Sequence, residues 1–466
     1  MLDNKGAGPL GKRRVLFSST QIIALGFLGV IFLGSLLLSL PVAAASGQGT
    51  SYIDAFFTST TSVCVTGLTT VTTAAHWSLF GKIVILCLIQ LGGLGIATVS
   101  ISFLVLLGRR ITMKERQLIQ ETYNLDSMEG MVRLVYRILK GTAVVEGMGA
   151  VCCSFVFIPE FGFWDGIWKS VFHAVSSFCN AGLDVFGETS MAAYSGNPWL
   201  MAVTMALIIL GGIGFPVWWD VIHIWRRRKT DIRCRKHPFR SLGLHAKVAL
   251  TTTGILLVGG TVLFWIFEFQ NPDTLGQMGP GKQALNAAFQ SVTTRTAGFF
   301  SIDQGALRGS SVLLTVVLMF IGGSPAGTAG GIKTTTVAML ALTALCTVRG
   351  RKDTEIFGRR IPEENIRKGL VVFMISMIVA LTGLMVILAA DGHSFADCSY
   401  EVASAIGTVG LTRGITPELS VIGKLVIILL MYLGRLGPVT LAFAMLKRRK
   451  TPANLRDLPE QRMIIG

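Results

Sequence analysis

Four short segments of this 466-residue chain resemble one another: Val65-Thr66-Gly67-Leu68, Asn180-Ala181-Gly182-Leu183, Thr296-Ala297-Gly298-Phe299 and Thr408-Val409-Gly410-Leu411. Their glycines are 115, 116 and 112 residues apart. Chance recurrence in a chain with 53 glycines would not give near-equal spacing and the same neighbours four times. The chemistry open to such segments belongs to the backbone. Four loops around one axis would set main-chain carbonyls into rings, and such rings can replace the hydration shell of a monovalent cation. Glycine suits the turning point because it adopts φ > 0 without cost and so helps aim the next carbonyl inward. Catalytic alternatives find no support: no P-loop, H-E-x-x-H or G-x-S-x-G occurs, and six scattered histidines make no constellation. No enzyme activity and no bound cofactor are expected.

Thr408-Val409-Gly410 matches the T-V-G of potassium filters, and the other three segments are degenerate versions. Degeneracy is expected when one chain supplies all four quadrants. A second feature is Gly322-Gly323-Ser324-Pro325-Ala326-Gly327-Thr328-Ala329-Gly330-Gly331-Ile332-Lys333-Thr334-Thr335, which interrupts an apolar segment. It is not a nucleotide-binding P-loop, because Ile332 stands where that motif needs glycine and no strand precedes it. A break at membrane depth is tolerated where it lines a cavity, although a merely kinked helix would also account for it. A third feature is Arg435, a charge inside a span and hence a candidate functional group. Its structural alternative is an ion pair with an acid such as Glu146, otherwise a buried, hydrogen-bonded packing residue. Arg295 precedes Gly298 by three and is expected to point away from the ion path and pair with an acid such as Glu401. Asp54, Asp184, Glu188 and Asp303 could concentrate cations at an outer mouth or be simply solvated. His173 is expected to be a packed residue.

These groups need elements to hold them. Hydrophobic residues make up 51% of the chain and charged ones 15%, against about 25% charged in soluble domains. Each filter-like segment follows a short helix-compatible stretch (52–62, 166–177, 282–292 and 395–405) too brief to span a bilayer. Ahead of each lies a longer apolar run, at about 21–40, 133–157, 247–268 and 368–390. Behind each, 24 to 29 residues on, a further apolar segment carries a second glycine signature: Gly92-Gly93-Leu94-Gly95, Gly211-Gly212-Ile213-Gly214, Gly322-Gly323, and Gly434-Arg435-Leu436-Gly437. The expected fold is an all-α membrane protein of four M1-P-M2 repeats. It has eight transmembrane helices and four re-entrant pore loops around a central pore. The expected organisation is repeats at 21–108, 131–228, 246–348 and 366–446, between tails at 1–20 and 447–466.

The net charge of +16 does not indicate nucleic acid. Five stretches, at 1–20, 109–140, 226–247, 347–368 and 447–466, hold 33 of the 42 Lys and Arg residues and alternate with poor ones. The positive-inside rule then puts both termini in the cytoplasm. The eight cysteines show neither metal spacing nor a paired framework.

Taken together, these residues resemble the Trk/Ktr/HKT superfamily of potassium transporters over essentially the whole chain, most closely its bacterial Ktr-type membrane subunit. The resemblance implies K+ as substrate, selected by a filter of Val65, Thr66, Gly67, Asn180, Ala181, Gly182, Thr296, Ala297, Gly298, Thr408, Val409 and Gly410. It implies a gate of Gly322, Gly323, Ser324, Gly327, Gly330, Gly331, Lys333 and Arg435. Serine at the first glycine marks Na+-preferring relatives, so Gly67 favours potassium. It further implies a homodimer in the bacterial cytoplasmic membrane, Na+ as a coupling or activating ion, and gating by a separate cytoplasmic ring of nucleotide-binding RCK subunits. Channel-like flux and Na+-coupled symport are not separable from the sequence, and a Trk-type subunit with H+ coupling or another regulator is the alternative. The basic segments 226–240 and 349–368 could dock the ring, set topology or contact membrane lipids.

Overall fold

In a computed structural model of the protein, the described residues are 19–95, 98, 131–187 and 189–437. They form helices almost throughout, with one two-stranded hairpin, β1 (Glu355–Ile356) and β2 (Arg359–Arg360). Among the described residues, four helices are long and apolar enough to cross a membrane on their own: α1 (Ser19–Leu38), α4 (Met131–Phe161), α8 (Leu244–Glu268) and α12 (Glu363–Asp391). Each opens a repeat. A shorter helix follows each one: α2 (Tyr52–Cys64), α5 (Phe163–Cys179), α9 (Pro280–Thr293) and α13 (Phe395–Gly407). With 13 to 17 residues, these run about 20–26 Å and stop short of a 30 Å crossing. Their inner halves are buried, with Phe57, Phe172, Phe289 and Tyr400 fully enclosed.

The third helices are α3 (Leu79–Leu94), α6 (Pro198–Gly212), α10 (Gly309–Phe320) and α14 (Val421–Leu436). Three of them start on a side-chain cap that satisfies a free first-turn N–H: Ser78 accepts from Gly81, Asn197 from Leu200, and Ser420 from Gly423. Their ends differ from a simple span. α3 stops at Gly95 (φ 82°) and α14 at Gly437 (φ 82°). Gly214 (φ 91°) turns α6 through 100° into α7 (Phe215–Arg227). A loop separates α10 from α11 (Thr334–Val348). The second glycine signature therefore ends or bends the helix in every repeat, where the sequence marked an interruption only in the third.

The same signature brings backbones together. A Cβ on Gly92 would strike the Val63 carbonyl, one on Gly211 the Phe178 carbonyl, and one on Gly434 the Ile406 carbonyl. Each of those carbonyls lies four residues before its repeat's filter-like glycine. Bare glycine thus lets the third helix rest directly on the end of the short one, fixing the loop that follows.

Candidate ion-conduction site

The four short helices deliver their chains to one place. Val65, Asn180, Thr296 and Thr408 all take left-handed backbone, at φ 56°, 59°, 73° and 51°. Two residues later Gly67, Gly182, Gly298 and Gly410 are again at positive φ, 102°, 65°, 88° and 97°. The first of each pair has a side chain and so carries strain that only a fully determined surround sustains. The glycines then close a ring. A Cβ on Gly67 would lie 2.7 Å from the Ala181 carbonyl, one on Gly182 2.5 Å from that of Ala297, and one on Gly298 2.5 Å from that of Val409. One on Gly410 would meet the carbonyl of Thr66. The repeats therefore follow one another in order around a single axis, the fourth returning to the first. All twelve filter residues of the sequence reading meet here. The negative ends of four helix dipoles point at the ring, which favours a cation.

Hydroxyl groups behind the ring hold it, and the sequence reading passed over them. Thr61 and Ser404 accept from the N–H of Gly67 and Gly410, at 2.9 and 3.0 Å. Ser176 and Thr293 instead donate to the carbonyls of Leu183 and Phe299, at 2.6 and 2.5 Å. A hydroxyl six residues before the glycine, in repeats one, two and four, was the available signal. Behind repeats three and four, Gln290 donates to Gln304 Oε1 at 2.6 Å, and the Tyr400 hydroxyl donates to the same oxygen at 2.8 Å.

The 322–333 loop crosses beneath the ring. Its N–H groups at Ser324 and Thr328 donate to the carbonyls of Gly212 and Gly211, at 2.8 and 3.1 Å, and the Thr328 hydroxyl donates to the Phe178 carbonyl at 3.0 Å. Gly322 N–H donates to the Ile332 carbonyl at 2.9 Å, and Thr334 N–H to the Gly323 carbonyl at 3.0 Å. Gly330 rests on Thr408, and a Cβ on Gly327 would meet the Gly211 carbonyl at 2.8 Å. Gly331 (φ 65°) makes the turn before Lys333, whose Nζ folds back onto the Ala329 carbonyl at 2.7 Å. Arg435 reaches in from α14. Its guanidinium donates to the Thr328 and Gly92 carbonyls and, at 3.2 Å, to that of Gly93. The sequence reading's eight gate residues are thus gathered into one unit that joins all four repeats.

The pairing expected of Arg295 is corrected. Arg295 does not pair with Glu401. It is 7% exposed and donates to Thr253 Oγ1 at 3.4 Å, while Glu401 accepts from Thr412 and, at 3.0 Å, from Thr416. The hydroxyl pair satisfies the carboxylate locally, so no charge needs to reach it. Glu146 accepts from Gln90 at 3.1 Å, in keeping with a packing role. Asp54 is in an ion pair with Lys424 at 3.0 Å, and Asp184 and Asp303 accept from loop N–H groups of Phe186 and Gly305. Glu188 lies outside the described residues. His173 is enclosed and bonds Thr204 at 2.8 Å, as a packed residue should.

The sequence places this architecture among known proteins. Residues 18–454 match the profile of the TrkH family, described as cation transport proteins. The chain belongs to the TrkH family of cation transport proteins. It is 42% identical to the potassium/sodium uptake protein NtpJ of Enterococcus hirae, over 98% of this chain and 99% of that one. It is 37% identical to the Ktr system potassium uptake protein B of Bacillus subtilis, over 95% and 96% of the two chains. The same identity holds with the Vibrio alginolyticus protein of that name, over 98% and 97%. In fold it is similar to the potassium transporter TrkH of Vibrio parahaemolyticus, with a TM-score of 0.70 at 17% identity over 93% of this chain and 86% of that one. Membership makes the chain a multi-pass membrane transport protein of four M1-P-M2 repeats, not an enzyme.

Proposed function

We propose that this chain is the pore-forming subunit of a Ktr-type potassium uptake system in the bacterial cytoplasmic membrane, with both termini cytoplasmic. The closed ring of Gly67, Gly182, Gly298 and Gly410, each set against the next repeat's carbonyl, carries this reading. It is the arrangement in which carbonyl oxygens stand in for the water around K+. The membrane potential drives entry, worth about 2.3 kcal/mol per charge per 100 mV. The 322–333 loop, Lys333 and Arg435 form the gate under the filter. The subunit works as a homodimer, gated by a separate RCK ring, and Na+ activates or accompanies uptake. The name of the Enterococcus hirae relative, which joins potassium and sodium, supports a part for Na+.

The test is K+ uptake in bacteria lacking their own systems, comparing the chain with its Gly67→Ser variant. A side chain at φ 102° would crowd the Ala181 carbonyl and the Cα atoms of Gly182 and Gly410. The wild type is expected to rescue growth at low K+, with the regulatory ring co-expressed, and the variant to lose its preference for K+ over Na+. Selective uptake untouched by the substitution would refute the filter assignment.

A further inference from the structure

The 100° turn at Gly214 is unexplained by conduction alone. In the proposed topology α6 starts at the outer boundary, and its 15 residues descend about 22 Å of a roughly 30 Å core. The turn then falls some 8 Å above the inner surface, inside the 5–10 Å depth at which amphipathic helices lie along a membrane. Two contacts set α7 beside the ends of α8 and α4 that the charge pattern assigns to the cytoplasmic side. Asp220, at its middle, accepts from the N–H of Gly243, the residue that caps the cytoplasmic end of α8, at 2.7 Å. The Arg137 guanidinium, near the start of α4, lies over the Trp219 ring at 5.9 Å.

α7 is built for an interface. Val217 and Ile224 are buried against the protein, while Val221 and Trp225, one turn apart, face outward at 42% and 64% exposure. The helix ends in Arg226 and Arg227, followed by Arg228 and Lys229, all exposed and without an ion pair among the described residues. An apolar stripe beside a basic end suits a membrane surface bearing anionic headgroups. The other end of α7 touches the gate. The N–H of Phe215, its first residue, donates to the Ala326 carbonyl at 3.0 Å, and a Cβ on Gly214 would meet the Pro325 carbonyl.

We propose that α7 is a lipid-sensing arm of the gate. Its Val221 and Trp225 face lies in the inner leaflet, Arg226, Arg227 and Arg228 hold the phosphates of anionic phospholipids, and Phe215 passes the helix's position to the 322–333 loop. The link to gating rests on the pore reading above; the lipid site does not. The test reconstitutes the full chain in phosphatidylcholine vesicles with and without phosphatidylglycerol, reading two signals. The Trp225 fluorescence component, taken as wild type minus Trp225→Phe, is expected to be quenched more by brominated phosphatidylglycerol than by brominated phosphatidylcholine. Replacing the three arginines by glutamine should lower that preference by about five-fold each, and Arg226→Lys should keep it. K+ flux of the wild type should change with phosphatidylglycerol, and that of the triple variant should not. Equal quenching by both lipids, or by neither, overturns the lipid site. So does a triple variant that keeps its lipid preference but no longer binds the soluble ring, which would make the cluster a protein-docking site. Lipid-selective quenching with flux indifferent to lipid overturns the coupling. Flux is read with the regulatory ring added; its absence in every such vesicle counts against the pore reading, while the quenching still decides the site.

Discussion

At the scale of single residues, the ring depends on what its hydroxyls accept and donate. Removing Ser404 Oγ or Thr61 Oγ1 leaves a filter glycine N–H buried without a partner, a cost of about 1–3 kcal/mol. Removing Ser176 Oγ leaves only a carbonyl short of a donor, which is better tolerated. Thr61→Ala and Ser404→Ala are therefore expected to lower the preference for Rb+ over Na+ roughly ten-fold, about 1.4 kcal/mol. Ser176→Ala should lower it less, as read by competitive uptake of the two ions. A Ser176→Ala defect larger than the other two would contradict this account. Arg435 poses a different test. Three carbonyls on two repeats share its planar fork, a pattern that one lysine ammonium cannot reproduce. Arg435→Gln should release the loop and raise flux several-fold in the absence of a regulator. Arg435→Lys should fall between, since it keeps the charge and loses the fork; unchanged resting flux in both variants would remove Arg435 from the gate.

At the scale of elements, close approach separates glycines that matter from those that do not. Gly92 and Gly211 leave no room for a methyl group, because backbone carbonyls face them. Gly92→Ala and Gly211→Ala should each cost about 1–3 kcal/mol or more from overpacking, seen as a lower melting temperature in detergent. Gly147 and Gly254, also helical, have nothing within 4 Å, so their alanine variants should be neutral or up to about 1 kcal/mol more stable. A drop of the same size at all four positions would mean that the signature is not a packing device. The contrast explains what was legible in the sequence. Apolar run length and spacing located the long helices and the four short ones, because both are properties of consecutive residues. The end of α3 and the bend into α7 were not visible, since Leu-Gly-Gly-Leu-Gly and Leu-Gly-Gly-Ile-Gly are as apolar as a straight span, and in α14 Arg435 marked a charge but not a helix end. The positive φ at Gly95, Gly214 and Gly437 is a backbone property that residue type alone does not dictate, and at Gly214 it accompanies a close approach to the Pro325 carbonyl. The partners of Arg435 were hidden for a related reason: they are main-chain carbonyls, which no residue type announces. The partner of Arg295 was not legible because a buried charge suggests an opposite charge behind the filter, whereas Glu401 is already satisfied by Thr412 and Thr416.

At the scale of the whole molecule, four repeats in one chain have three joints made by connection and a fourth made only by contact. Between repeats two and three, Asn286 donates to the Ser195 carbonyl at 3.1 Å; between three and four, Arg413 donates to that of Gln304 at 3.0 Å. The seam between four and one must be closed by residues about 400 positions apart. There the Tyr432 hydroxyl donates to the Ala24 carbonyl at 2.8 Å, and Lys424 pairs with Asp54 at 3.0 Å with both side chains under a fifth exposed. A pair so enclosed is worth less as a pair than either charge costs when left alone. Asp54→Asn and Lys424→Met should therefore each destabilise the protein by more than about 1 kcal/mol. The double variant should cost less than their sum, with a coupling on the order of 1–2 kcal/mol in a thermal double-mutant cycle. Because the Gly410 and Thr66 contact closes the ring across the same seam, the single variants should also lose selectivity for K+ over Na+ and the double variant should recover part of it. Additive losses in stability would show the pair to be uncoupled, and the seam would then be closed by the Tyr432 bond and backbone packing.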